Sequence, residues 1–186
     1  MNLNFVNYTK LSFDENLQLL KIRNFDYVRK NMKNDSIILI DDHISWVKSL
    51  YTDNTKIYYA ILLDNTIVGG INITGIDYKT RVSSWGLFMQ ANTNPMIPSI
   101  ATYLIIDKVF NTLNLDILNL EVNKINTNAY KFDKNFGFIH NGEYNDNENS
   151  YYLMSMDKDG WKSNKNNALL KIVKRKIDNA NITFKD

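Results

Sequence analysis

The chain contains no cysteine. That excludes a disulfide framework, a thiolate metal site and a cysteine nucleophile together. Histidine is almost as scarce. His43 and His140 are the two present in 186 residues, too few for a multi-histidine centre, and no metal is expected. An excess of one charge is also missing. The formal net charge is +2, which argues against nucleic acid as a partner of the whole surface. No apolar run approaches the roughly 20 residues that span a bilayer, so no membrane span is expected. Residues 1–10 lack a basic segment followed by an apolar core. No signal peptide is visible there, and a cytoplasmic location is expected.

What is present suits a folded domain. A hydrophobic content of 44% can build a sizeable core, and 12% aromatic residues argue against disorder. The length fits one domain plus an appendage. The character changes near residue 159. Residues 159–186 hold seven basic and three acidic side chains, a net +4, which leaves −2 for residues 1–158. We therefore expect a domain over 1–158 and a basic amphipathic extension over 159–186. In the extension Leu169, Leu170, Ile172, Val173 and Ile177 mix with Lys171, Lys174, Arg175 and Lys176. That pattern is a helix that packs on the domain or on a partner subunit, so a homodimer stays open. A membrane-surface or polyanion role is the sharper alternative.

The pattern of elements follows from local signals. Alternation over residues 3–8 predicts a first strand. Ser12-Phe13-Asp14-Glu15 matches a capping box, so a helix starts at Phe13. After a looser segment over 25–35, Asp41 or Asp42 can cap a second helix, from His43 to Leu50. Three strands follow, over 56–63, 66–75 and 81–90, with Asp64-Asn65 as a hairpin turn. Gly69 and Gly70 suggest a bulge or a close backbone approach. Pro98 fits the first turn of a helix that runs to about Leu113. A buried strand over 117–122, a helix over 126–135 ended by Gly137, and strands from Phe138 and over 150–156 complete the order. That order is β-α-α-β-β-β-α-β-α-β-β, an α+β domain with a mixed sheet.

Residues 116–138 read D-I-L-N-L-E-V-N-K-I-N-T-N-A-Y-K-F-D-K-N-F-G-F. An N-x-x-A-x-x-Φ-x-x-x-x-G-F string (Φ apolar) after such a strand resembles the GCN5-related N-acetyltransferase (GNAT) family. The resemblance implies a sheet that splays at this strand, with acetyl-coenzyme A in the gap as co-substrate. It implies that Asn126 touches the pantetheine. It also places the donor loop between the strand over 81–90 and the next helix, with Phe88, Met89, Met96, Ile97, Ser99 and Ile100 toward the cofactor. The family writes R/Q-x-x-G-x-G/A there. This chain writes Gln90 to Ile100 without either glycine, and Pro98 removes one N–H donor. The loop therefore binds coenzyme A in an altered geometry or has lost it.

Acetyl transfer to an amine needs a base for the ammonium proton, and an acid can protonate the departing thiolate. Glu121 lies in the splaying strand. It is either a base with a pKa raised by partial burial, or a paired carboxylate on an exposed face. Asp133 stands where the family usually carries a tyrosine, and an exposed helical aspartate is the plainer expectation. Tyr130 and Tyr103 are the other candidates to replace that phenol.

The front half resembles more narrowly the N-acetyltransferases of pseudaminic acid biosynthesis. It does so through Ile22-Arg23-Asn24, Val28-Arg29-Lys30-Asn31-Met32, Asp42-His43-Ile44-Ser45-Trp46-Val47, Ile67-Val68-Gly69 and Trp85-Gly86-Leu87-Phe88. That resemblance implies a UDP-linked 4-amino-dideoxy sugar as acceptor. Arg23 and His43 would meet the nucleotide, and Met32, Trp46 and Phe88 the sugar's deoxy-methyl group. Arginine suits phosphate, and methionine with aromatics suits a sugar face. Another small amine, a protein N-terminus, or a catalytically silent binding domain are the alternatives.

Overall fold

A computed structural model describes residues 1–146 and 149–186. Strand β1 (Asn2–Asn7) leads through a short turn of 3-10 helix to α1 (Phe13–Arg23). The capping box is complete: Ser12 Oγ accepts from the Glu15 amide at 3.2 Å, and Glu15 Oε2 accepts from the Ser12 amide at 2.7 Å. The loose segment holds the single-turn α2 (Asp26–Arg29). Helix α3 (Ile40–Ser49) starts earlier than expected. Leu39 occupies its cap position without a capping side chain, and Asp41 and Asp42 fall in the first turn. Their charges still face the positive end of the helix.

Strands β2 (Ile57–Leu63), β3 (Thr66–Asp77) and β4 (Val82–Met89) form the antiparallel meander. Asp64 and Asn65 both take left-handed φ, 46° and 68°, as a tight hairpin requires. The β2–β3 register shifts opposite Val68, next to Gly69. Helix α4 (Met96–Asp107) follows and runs into a π-helical turn, Lys108–Thr112. Then come β5 (Ile117–Asn123), α5 (Thr127–Phe136), β6 (Ile139–Asp146) and β7 (Asn149–Asp157). Gly137 closes α5 at φ 101°, a left-handed conformation that favours glycine.

Three elements close the chain: α6 (Lys158–Asn164), α7 (Ala168–Asp178) and β8 (Asn181–Lys185). The sequence pattern points to α7 but not to α6 or β8. Trp161, Leu170 and Val173 enter the same buried cluster as α4. Strand β8 pairs in parallel with β1, and Phe184 stacks on Phe5 at 4.6 Å. The Asp186 carboxylate accepts from the Tyr59 hydroxyl and pairs with Lys108 at 3.2 Å.

The eight strands make one mixed sheet in the order β6-β7-β5-β4-β3-β2-β1-β8. Period-2 alternation sends side chains to two cores. Tyr59 and Ile61 join Leu3, Phe5 and the inner face of α4. Ala60 and Leu62 join Tyr8, Leu19, Ile22 and Val47 beneath α1 and α3. Each such aliphatic side chain contributes about 1.5–3 kcal/mol by leaving water. No helix among the described residues is long and apolar enough to cross a membrane.

Candidate active site

The sheet opens between β4 and β5. These parallel strands pair at Val82–Ile117, Ser83–Leu118 and Ser84–Asn119, and no further. Beyond Ser84 the β4 edge is free. The Gln90 amide donates to Val68 O, and Phe88 O points at Gly69, so alternation turns the backbone groups of Leu87 and Met89 to the gap. A cavity of about 200 Å³ fills the opening between Trp85, Gly86 and Leu87 on one strand and Leu120 and Val122 on the other. Trp85 lines this gap, and its Nε1 is buried without a hydrogen-bond partner among the described residues. Free strand groups and an orphaned donor suit the amide-bearing pantetheine of coenzyme A. Asn126 borders the same gap. It caps α5, its Oδ1 accepting from the Ala129 amide at 3.1 Å.

In the loop from Gln90 to α4 the amides at the helix start are already bonded. Asn94 Oδ1 accepts from Met96 N–H at 2.9 Å, and Asn94 O accepts from Ile97 N–H at 2.9 Å. The Met96 and Ile97 amides are thus bonded within the loop, and Ser99 and Ile100 lie far enough into α4 for their amides to bond along the helix. Ile97 and Ile100 turn their side chains fully into the core, which leaves only their backbones for a ligand. Ser99 Oγ donates to Pro95 O at 3.1 Å. The Ala91 amide donates to the Tyr27 hydroxyl at 2.6 Å, which ties the loop to α2.

A second cavity, about 420 Å³, lies between α1, α3 and the β3–β4 surface. It gathers Arg23, Met32, His43, Trp46 and Phe88 from four separate segments. Met32, Gly86 and Leu87 border both cavities, so the two adjoin. Trp46 meets Tyr58 edge-on at 4.8 Å, and Tyr8 lies 5.5 Å from Tyr58. Tyr8 and Tyr58 complete an aromatic wall that no local motif announces. Arg23 Nη2 donates to Asn34 O at 3.1 Å, while Nη1 is buried without a partner among the described residues. A buried N–H group lacking an acceptor is costly, and an anion brought to it would satisfy it. His43 is buried rather than on the helix surface, with Nε2 3.3 Å from Asn16 Oδ1. Burial lowers its pKa and favours the neutral ring.

Of the two candidate carboxylates, Glu121 takes the exposed, paired alternative and Asp133 departs from expectation. Glu121 projects from β5 opposite to Leu120 and Val122, with its side chain 45% exposed. Its Oε2 accepts from the Tyr144 hydroxyl at 2.6 Å and pairs with Lys33 Nζ at 3.4 Å. Partial burial is therefore not its condition. Asp133, expected on the surface, is 6% exposed. Burial alone pushes its carboxyl up to about 8. The reason is helical spacing: Ala129, Asp133 and Phe136 share the face of α5 that packs on the sheet. Asp133 borders the gap. Of the alternative phenols, Tyr103 packs on Trp161 at 5.0 Å and Tyr130 on Tyr152 at 4.6 Å. Neither borders the gap. Among the described residues no three His, Asp or Glu side chains gather to hold a metal ion.

Comparison with known proteins agrees with this geometry. Residues 15–156 match the acetyltransferase (GNAT) domain. Acetyltransferase PseH from Campylobacter jejuni strain 81-176 is 29% identical over 125 residues, covering 67% of this chain and 77% of that one. Its counterpart in strain NCTC 11168 is 26% identical over 152 residues, covering 79% and 89%. The crystal structure of Campylobacter jejuni N-acetyltransferase PseH in complex with acetyl coenzyme A superposes with a TM-score of 0.65 at 23% identity, over 84% of this chain and 99% of that one. A spermidine N-acetyltransferase from Vibrio cholerae in complex with CoA and spermine gives a TM-score of 0.77 at 14% identity, over 87% and 98%. The chain belongs to the GNAT family of acetyltransferases, whose acetyl donor is acetyl-coenzyme A.

Proposed function

We propose that this enzyme acetylates the amino group of a nucleotide-linked 4-amino-dideoxy sugar, as in pseudaminic acid biosynthesis. The observation that carries the proposal is the unsatisfied Arg23 Nη1 at an aromatic cavity that adjoins the splayed sheet. Arg23 would meet a phosphate oxygen. Met32, Trp46 and Phe88, with Tyr8 and Tyr58, offer apolar faces to a sugar and its methyl group. The likeness to PseH supports the same acceptor.

In this scheme acetyl-coenzyme A occupies the gap, its pantetheine along the free edge of β4 and its pyrophosphate toward the start of α4. The neutral amine attacks the thioester carbonyl carbon, and the C–S bond breaks. The proton lost from nitrogen passes to Glu121, which takes this role as an exposed carboxylate lining the gap and not through burial. The departing sulfur takes a proton from Asp133, whose buried carboxyl is mostly protonated at neutral pH. Solvent then restores both carboxyls.

A polyamine is the rival acceptor, because a spermidine acetyltransferase shares the fold. Arg23 suits an anion better than a polycation, although Asp42 also lines the cavity. The test is thiol release from acetyl-coenzyme A with three acceptors: a UDP-linked amino sugar, spermidine and a peptide with a free N-terminus. Turnover confined to the nucleotide sugar is expected. Equal or better use of spermidine would end the proposal.

A further inference from the structure

Asn16 and His43 meet at the wall of the acceptor cavity, and their hydrogen bonds admit one arrangement of protons. Asn16 sits on α1 and is buried. Its amide nitrogen Nδ2 has two backbone carbonyls within reach, Ser12 O at 3.1 Å and Leu11 O at 3.4 Å. An amide nitrogen donates and carbonyl oxygens accept. The flipped amide would set its oxygen against both carbonyls, so Oδ1 is fixed toward His43. It lies 3.3 Å from Nε2. Oδ1 can only accept, so Nε2 must carry the proton.

A neutral imidazole has one donor nitrogen and one acceptor nitrogen. With Nε2–H assigned, the lone pair belongs to Nδ1. Among the described residues Nδ1 has no hydrogen-bond partner, and the ring borders the cavity. Burial acts in the same direction, because it disfavours the doubly protonated imidazolium.

We propose that Asn16 is a positioning residue that locks His43 in the Nε2–H tautomer. The acceptor cavity then presents Nδ1 as a hydrogen-bond acceptor to an N–H or O–H group of the ligand. The inference deepens the acceptor reading above and rests on it for the ligand's identity. The cavity so described asks for two features in one molecule. It needs an anionic oxygen for Arg23 Nη1 and a neutral donor for His43 Nδ1. A nucleotide sugar supplies both, through its phosphates and through a sugar hydroxyl or base N–H. A polyamine supplies donors but no anion.

The tautomer can be read directly. Long-range ¹H–¹⁵N correlation of the intact ¹⁵N-labelled protein at pH 7 separates protonated from lone-pair ring nitrogens. With two histidines in the chain, His140→Gln leaves a single ring to assign. The expected spectrum shows a protonated Nε2 and a lone pair on Nδ1. An Nδ1–H tautomer or an imidazolium in the wild-type protein overturns the proposal. Asn16→Leu removes the lock while keeping side-chain volume. It is expected to give a mixture of tautomers and to raise the acceptor KM about 5-fold, the loss of one neutral hydrogen bond, with the acetyl-coenzyme A KM unchanged. An Asn16→Leu protein with the wild-type tautomer and acceptor KM overturns Asn16's role. Should Asn16→Leu fail to fold, the wild-type spectrum still decides the tautomer. The predicted tautomer without turnover of nucleotide sugars supports the lock and counts against the acceptor assignment alone.

Discussion

The Tyr144 hydroxyl donates to Glu121 Oε2 at 2.6 Å, across β7, which lies between their strands. Lys33, from the loop between α2 and α3, reaches the same carboxylate at 3.4 Å and Tyr144 Oη at 3.0 Å. The three side chains join the acceptor-side loop to the far end of the sheet at the mouth of the gap. Lys33 and Glu121 are exposed, and exposed ion pairs contribute only about 0–1 kcal/mol to stability. Loss of Glu121 is therefore expected to show in catalysis. Glu121→Gln should melt within a few degrees of wild type and bind acetyl-coenzyme A normally. Its turnover should fall roughly 10²–10⁴-fold, the range for removing a general base. Near-normal steady-state turnover would remove Glu121 from that role.

Asp133 predicts a pH dependence whose sign can be worked out. Its carboxyl is up at about 8 in the fold and near 3.9 in an unfolded chain. The folded protein binds the proton more tightly. The resulting stability is complete below about pH 4 and is lost as pH rises to about 8, by at most about 1.4 kcal/mol per pH unit. Asp133→Asn should flatten that slope in thermal melts taken from pH 5 to 8. As an acid, Asp133 must hold its proton to act, so wild-type kcat should fall as pH passes about 8. The Asn variant should lack this limb and turn over more slowly at every pH. A basic limb that survives Asp133→Asn would assign it to another group.

Arg23→Ala tests the acceptor cavity. The free protein loses the Nη2 bond to Asn34 O, while the bound anion would lose at Nη1 a charge-assisted contact of about 1.5–3 kcal/mol. Steady-state kinetics should show acceptor kcat/KM lowered roughly 10–150-fold, with the acetyl-coenzyme A KM within 2-fold of wild type. Equal losses for both substrates would mean that Arg23 shapes the site generally and does not read a phosphate.

Much of the fold was legible because its signals are local. Ser12 with Glu15 marks α1, Asp64-Asn65 marks the hairpin, and Gly137 marks the end of α5. The acceptor cavity was legible in part, through a family resemblance that places Arg23, Met32, His43 and Trp46 in order along the chain. The parts that could not be read are set by contacts distant in sequence. Strand β8 is recognised only by the β1 edge it pairs with, and Tyr8 joins the cavity only because α3 folds over β2. Tyr144 meets Lys33 across 111 residues. Asp133 is different. Its spacing with Ala129 and Phe136 already puts it on the inner face of α5, and its charge suggests the surface. Packing overrode that preference, and the carboxyl holds its proton as a consequence.

Gly70 offers a test in which sterics alone act on the acceptor cavity. It lies on β3 opposite Phe88, and a Cβ built there would come within 2.3 Å of Tyr8 Oη and 2.8 Å of the Phe88 ring. Both of those side chains line the acceptor cavity, and neither borders the gap between β4 and β5. Tyr8 is buried, so it cannot swing into solvent without emptying its own site. The added methyl must push the aromatic wall into the cavity, at about 1–3 kcal/mol for overpacking. Gly142→Ala is the control. Its Cβ would meet Leu153 at an ordinary 3.5 Å, and a change within about 0.5 kcal/mol is expected. Gly70→Ala should lower the melting temperature and raise the acceptor KM, with acetyl-coenzyme A affinity preserved by calorimetry. An unchanged acceptor KM in a destabilised Gly70→Ala protein would show that the ligand does not touch the Tyr8–Phe88 wall.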